Sequence, residues 1–199
     1  MALRPDLPLV EVLSRAQWRA WLVKHQNQPT GVWAVTHKRS ALRPGDEFVS
    51  ARDLNEECLC FGWIDSRPAK IDDHVSALLC TPRKPRSGWS KVNKERLELL
   101  LAAGLVVGRG LAVIEAAQAD GSWSKLDDVD LLIEPTDLLE ALAALNSARL
   151  HWDAFPPSAR RGILEWIQSA KRKETRVARV EETARLAAKN LRANQWPRQ

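Results

Sequence analysis

The chain has 199 residues, 45% of them hydrophobic and 28% charged, which suits a globular protein that buries a core and excludes a disordered or collagen-like chain. It contains no run of about 18 apolar residues, so no membrane-spanning helix is expected. The net charge of +5 is uneven: residues 156–199 hold 11 Lys/Arg against 4 Asp/Glu (+7), and residues 1–155 hold 19 against 21 (−2). That distribution points to a near-neutral body with a basic tail, a surface able to attract anions.

The amino-terminal stretch MALRPDLPLVEVLS lacks a long apolar segment behind a basic front, so no signal peptide is visible and a cytoplasmic location is expected. Ser14 followed by Gln17 predicts a capped helix, with Trp18, Trp21, Leu22 and His25 on one face. GVWAVTHKR reads as a strand that is apolar on both sides near its start, and RPGDE as a turn. Ser50 and Asp53 form a second capping pair, opening a helix with Leu54, Cys58 and Phe61 inward and Gly62 as its stop. WIDSRP and HVSALLCTPR read as strands, the second closed by Pro82.

Ser90 caps a third helix, with Val92, Leu97, Leu100 and Leu101 as its apolar face and Gly104 as its end. GLAVIEAAQADG is a short helix. SWSKLDDVDLLIEP is acidic and loop-like, and it marks a boundary. Beyond it Pro135 suits the first turn of a helix, and Pro156–Pro157 ends another. Ile163, Trp166, Ile167 and Ala170 then share a side, as do Val177, Val180, Ala184 and Ala187 or Ala188. Strands segregated from a helical run predict an α+β fold, with a small antiparallel sheet and packed helices. The expected organisation is an α+β domain at 1–125, a linker at 126–133 and a helical segment at 134–199.

Residues 81–94 hold five cations and no acid: Arg83, Lys84, Arg86, Lys91 and Lys94. They lead into a helix start, where the first N–H groups lack intrahelical partners. Arginines beside free N–H donors favour an anion, and a guanidinium grips a carboxylate or phosphate in two-pronged fashion. The expected ligand set is Asp65, Arg83, Lys84, Arg86, Ser87, Trp89, Ser90 and Asn93. Trp89 would supply a flat wall, with Ser87, Ser90 and Asn93 as neutral hydrogen-bonding groups. Asp65 stands apart as a carboxylate of the chain's own that would pair with one of these arginines.

Arg172, Arg176 and Arg179, spaced i, i+4, i+7, define a possible basic stripe on the last helix, a surface for phosphates or acidic partners. Glu174, Glu181 and Glu182 interrupt it, and no RRM, KH or helix-turn-helix signature is present, which argues against a dedicated nucleic-acid arm. No catalytic set, cofactor motif or metal-ligand spacing emerges. Cys58 and Cys60 lie two apart on a helix and point to nearly opposite sides, and no histidine stands at zinc spacing.

CFGWID at 60–65, TPRKPRSGWSKVN at 81–93 and WIQSAKRKETRVARVEE at 166–182 resemble the YdeI/OmpD-associated, or bacteriocin-protection, family. The likeness runs from the first helix to about residue 190. After Gly104 the chain departs from it, reading GLVV where a methionine-containing GRM-like stretch is expected. The resemblance implies a small cytosolic bacterial protein of α+β type with a helical carboxyl-terminal segment. It also implies a role in tolerating bacteriocins, cationic peptides or envelope stress, and it carries no catalytic residues. Together these readings predict a non-enzymatic protein that binds an anionic small molecule or an acidic protein segment. The alternatives are an uncharacterised enzyme with a pocket around Asp65, or a nucleic-acid binder using the basic carboxyl-terminal helices.

Overall fold

A computed structural model of the protein describes residues 3–195. Residues 1–2 and 196–199, at the outer ends of the two expected domains, lie outside the described residues. The chain divides between Ser124 and Lys125 into two compact units, and the fold is α+β.

The first unit runs β1 (Leu9–Glu11), α1 (Arg15–His25), β2 (Val32–His37), a single 3-10 turn, α2 (Ala51–Cys60), β3 (Trp63–Lys70), β4 (Val75–Pro82), α3 (Lys91–Ala102) and α4 (Arg109–Ala119). The sheet order is β1-β2-β4-β3. β2, β4 and β3 pair antiparallel, as the sequence predicts, but β1 lies parallel on β2, so the sheet is mixed. β1 has three residues and no periodic signature. It is held by Trp33 N–H donating to Pro8 O (2.9 Å) and Val12 N–H donating to Val35 O (2.8 Å).

The two-sided apolar start of β2 follows from its pleat. Val32 and Ala34 join the main core, while Trp33 and Val35 face a small cluster with Ala69, Ala77 and Leu79 on the other side. The main core gathers Trp18 and Leu22 of α1, Leu54, Cys58 and Leu59 of α2, Trp63, Trp89 and Leu97.

Helix α2 is buried more completely than its one-sided pattern predicts: every residue from Leu54 to Cys60 is buried, Asn55, Glu56 and Glu57 included. A helix enclosed on all sides needs partners for its polar groups. Arg15 binds Glu57 (2.7 Å) and Glu56 (2.9 Å), and Arg19 binds Glu57 (2.8 Å). The Ser50–Asp53 capping box forms in full. At α1 only half of it does. Ser14 Oγ accepts from Gln17 N–H (3.0 Å), but Gln17 Oε1 accepts from Leu13 N–H (2.6 Å), one residue before the expected donor.

The second unit contains α5 (Asp127–Asp130), α6 (Thr136–Ala143), α7 (Ala148–Ala154), α8 (Pro157–Gln168) and α9 (Lys173–Ala187). Residues 126–133, expected as a linker, carry α5. Leu126 and Val129 are spaced i, i+3 and enter the second core beside Leu138, Trp152, Ile163 and Val180. Pro135 is the cap of α6, so that helix begins one residue later than predicted. Pro157 is the first residue of α8, so the Pro–Pro pair both ends α7 and starts α8. Val177, expected inward, is 45% exposed. Thr183 is buried in the α9 face instead, its hydroxyl donating to Arg179 O (2.7 Å).

Among the described residues no helix is long and apolar enough to cross a membrane.

Candidate anion pocket

The site begins where β4 runs out. Arg83 N–H donates to Gly62 O (3.0 Å), which extends the β3–β4 ladder by one bond and pins Arg83 beside the start of β3. The chain then reverses. Ser87 N–H (3.3 Å) and Oγ (2.8 Å) both donate to Lys84 O, and Arg86 takes a left-handed backbone with φ of 60°. The reversal carries Gly88 O to Arg83 Nη2 (2.8 Å) and sets the Trp89 ring 3.5 Å from the guanidinium carbon. Trp89, only 1% exposed, packs against Trp123 with ring centroids 5.1 Å apart.

This loop forms one side of a cavity of about 310 Å³. Arg83, Lys84, Arg86, Ser87 and Trp89 line it from the loop, and Arg109, Ala112, Val113, Ala116 and Ala117 line it from α4. Asp120 and Ser122 complete the wall. Asp120 Oδ1 already accepts from Ser122 N–H (2.9 Å).

What marks this cavity is its unsatisfied cations. Arg83 is 6% exposed, and its Nε and Nη1 have no hydrogen-bond partner among the described residues. Arg109 Nε in the same wall also lacks one. Burial pushes the Arg83 guanidinium down to about 10, with the Asp65 carboxylate opposing the shift, so it stays charged at neutral pH. A buried charge with open donors is costly unless something supplies the missing acceptors.

The predicted site residues separate into two groups. Arg83, Lys84, Arg86, Ser87 and Trp89 line the cavity, and Asp65, Ser90 and Asn93 do not. Ser90 Oγ caps α3 by accepting from Asn93 N–H (3.4 Å). The cavity therefore opens against α4 and not in front of the first turn of α3. Asp65, expected as the partner of a loop arginine, acts on Arg83 through its charge alone and accepts a hydrogen bond from Asn55 Nδ2 (2.6 Å). Asn55 also bridges to Asn93 Oδ1 (3.3 Å) and accepts from Arg96 Nη1 (2.5 Å), a polar knot that serves buried α2.

Arg109, Ser122 and the small-residue strip of α4 were not foreseen. Their one trace in the sequence is GRG at 108–110. Gly110 allows close approach, since a Cβ there would lie 2.2 Å from Cys60 O.

A larger depression of about 700 Å³ is lined by His37, His74, Asp46 and Glu47 among others, and it holds none of the unpartnered buried atoms. Its acids already accept backbone N–H groups, Asp46 from Arg43 (2.8 Å) and Glu47 from Arg15 (2.9 Å). The three cysteines are free and buried, and burial raises the Cys58 and Cys60 thiols above their usual range. Among the described residues no group of three or more His, Cys, Asp or Glu is placed to hold a metal ion.

In the second unit the basic stripe is largely consumed by its own surroundings. Arg176 makes a two-pronged pair with Asp137 (2.7 and 2.9 Å). Arg179 donates to Trp166 O and to Ser169 Oγ (2.9 Å), and stacks over the Trp166 ring. Arg172 stands at the cap of α9.

Arg176 holds the Asp137 carboxyl below its usual range. A depressed acid stabilises the fold above its unfolded-state value and loses that contribution as pH falls through the folded one. Arg176→Ala is expected to cost roughly 0.5–1 kcal/mol, since both side chains are partly exposed. Chemical denaturation should show this difference at pH 7 and none once Asp137 is protonated.

Fold and site together define a two-unit α+β protein whose first unit holds a cationic cavity walled by an indole. The chain belongs to the family described as Domain of unknown function (DUF8412), which it matches over residues 10–113, and its residues 132–190 match the family described as Bacteriocin-protection, YdeI or OmpD-Associated. The motifs at 60–65 and 81–93 fall in the first range, and the motif at 166–182 falls in the second. No curated protein and no solved structure matches the chain.

Proposed function

We propose that this is a cytoplasmic, non-enzymatic binding protein that holds an anionic ligand in the Arg83–Trp89–Arg109 cavity. The ligand is a small molecule or an acidic segment of a partner protein. The observation that carries this reading is the Arg83 guanidinium, buried and charged, with two nitrogens that no group among the described residues satisfies. A ligand oxygen would supply the missing acceptor, and a charge-assisted bond in a partly dry site is worth about 1.5–3 kcal/mol.

The wider setting proposed is tolerance of bacteriocins or antimicrobial peptides or of envelope stress; its support is the match of residues 132–190 to the family described as Bacteriocin-protection, YdeI or OmpD-Associated. A chain with a net charge of +5 repels cationic peptides at long range, so any protection is indirect. The reading as an enzyme around Asp65 draws no support from that residue's surroundings, where its carboxylate serves Asn55. Nucleic-acid binding through α8 and α9 draws little, because Arg176 and Arg179 are engaged within their own unit.

Calorimetric titration with inorganic phosphate, small carboxylates and an acidic peptide tests the proposal. Arg83→Ala and Arg109→Ala should each weaken the best of these at least about tenfold, the equivalent of one charge-assisted bond. Arg86→Gly keeps the left-handed turn and removes an exposed charge that acts on Asp120, so its effect should be smaller and vanish at high salt. Affinity that survives the loss of Arg83 refutes the proposal.

A further inference from the structure

We infer that the ligand of this cavity is a small amphiphilic carboxylate, a planar head on a compact apolar body. The inference rests on the anion-binding reading above and adds the chemistry of the ligand to it.

The head follows from Arg83. Its Nη2 carries two hydrogens and Gly88 O takes one, while Nε and Nη1 have no hydrogen-bond partner among the described residues. Whichever hydrogen Gly88 occupies, one complete two-pronged edge of the guanidinium remains, and such an edge matches two coplanar oxygens. Arg109, the first residue of α4, adds a second cation at the positive end of that helix.

The apolar body follows from α4. Ala112 and Ala116, with Val113 and Ala117 beside them, form one strip of the helix facing the cavity, opposite Trp89. Inorganic phosphate at the guanidinium would leave that strip wet, whereas a short alkyl or aryl group would cover it. Alanine at 112 and 116 leaves the room such a group needs. The volume of about 310 Å³ lies at the bottom of the range of roughly 300–1,000 Å³ typical of small-molecule sites, so the body is small.

The test uses the full chain at neutral pH and fixed ionic strength, with hexanoate, benzoate, their neutral amides and inorganic phosphate titrated in turn. Hexanoate and benzoate are expected to bind at least tenfold more tightly than phosphate, and the amides at least tenfold more weakly than the acids. Ala116→Leu, with Ala112→Leu as a second variant, should weaken the carboxylates at least fivefold and leave phosphate unchanged. Both positions are exposed on a helix, so folding is kept, and circular dichroism verifies it. Phosphate binding as tightly as the carboxylates, with both leucine variants indifferent, overturns the amphiphile and leaves an anion pocket. Failure of every anion to bind in an Arg83-dependent way overturns the pocket as well.

Discussion

Arg83→Met is expected to abolish anion binding and, at the same time, to raise the stability of the first unit. Burial disfavours the charge of Arg83 and lowers its folded-state pKa from the ordinary arginine value to about 10. For a base, a depressed value means that folding works against the protonated form. The penalty is present in full below pH 10 and is relieved as pH rises from 10 towards the unfolded-state value, where the folded side chain releases its proton first. At neutral pH it amounts to something on the order of 3 kcal/mol.

Methionine has similar length, keeps a polarisable atom over the Trp89 ring, and brings no charge to bury. Against this gain stand the lost bond to Gly88 O and the lost stacking, about 1–2 kcal/mol together. Gly88 is only half-buried, so water can take over its carbonyl. The net expectation is a gain of about 1 kcal/mol or more, read as a rise of a few degrees in melting temperature. Added carboxylate should raise the melting temperature of the wild type and not that of Arg83→Met. A variant that melts several degrees lower would make Arg83 a structural fastener of the 83–89 loop. The anion reading would then lose the observation that carries it.

The parts of the structure that were legible in the sequence are those decided within a few residues. Ser14, Ser50 and Ser90 all cap the helices they announce, because a hydroxyl three residues before a free N–H is a local matter. The strand at 32–37 and the reversal after Pro82 were equally readable. β1 was not, since a three-residue strand borrows its conformation from the β2 backbone. The burial of Glu57 was not legible either: its partners Arg15 and Arg19 lie 42 and 38 residues away, and nothing in NEECLC announces them.

The site divides in the same way. The cations of 83–86 and the indole at 89 stand out as an acid-free loop, and the structure brings them to one cavity. The arginine that faces Arg83 across it comes from α4, a helix placed by tertiary packing alone. The i, i+4, i+7 arginines of α9 show the converse. Their spacing was visible, but Asp137, which takes up Arg176, lies 39 residues earlier.

Because α4 supplies half of the cavity, the contact that places it should control both stability and binding. That contact is Gly110 against the end of α2. A Cβ at residue 110 would stand 2.2 Å from Cys60 O and 2.8 Å from Cys60 C, and both are backbone atoms that no rotamer change can move. Val107 N–H also donates to Cys60 O (3.3 Å), and Gly62, at φ of 70°, packs against Val113 and Arg109. The helix therefore meets the end of α2 backbone to backbone. Gly110→Ala adds one methyl group and a better helix former, so on propensity alone it would stabilise α4 by about 1 kcal/mol. The clash outweighs this, because α4 has to withdraw from α2 and uncover the surface they share. The expected cost is on the order of 3 kcal/mol or more, as for severe overpacking. Thermal unfolding measures that loss. Titration of the variant that remains folded at low temperature should show carboxylate binding weakened at least tenfold, since Arg109 and the alanine strip move with the helix. If Gly110→Ala unfolds within about 1 kcal/mol of the wild type and binds normally, α4 is not set by this contact, and the geometry of the pocket has another origin.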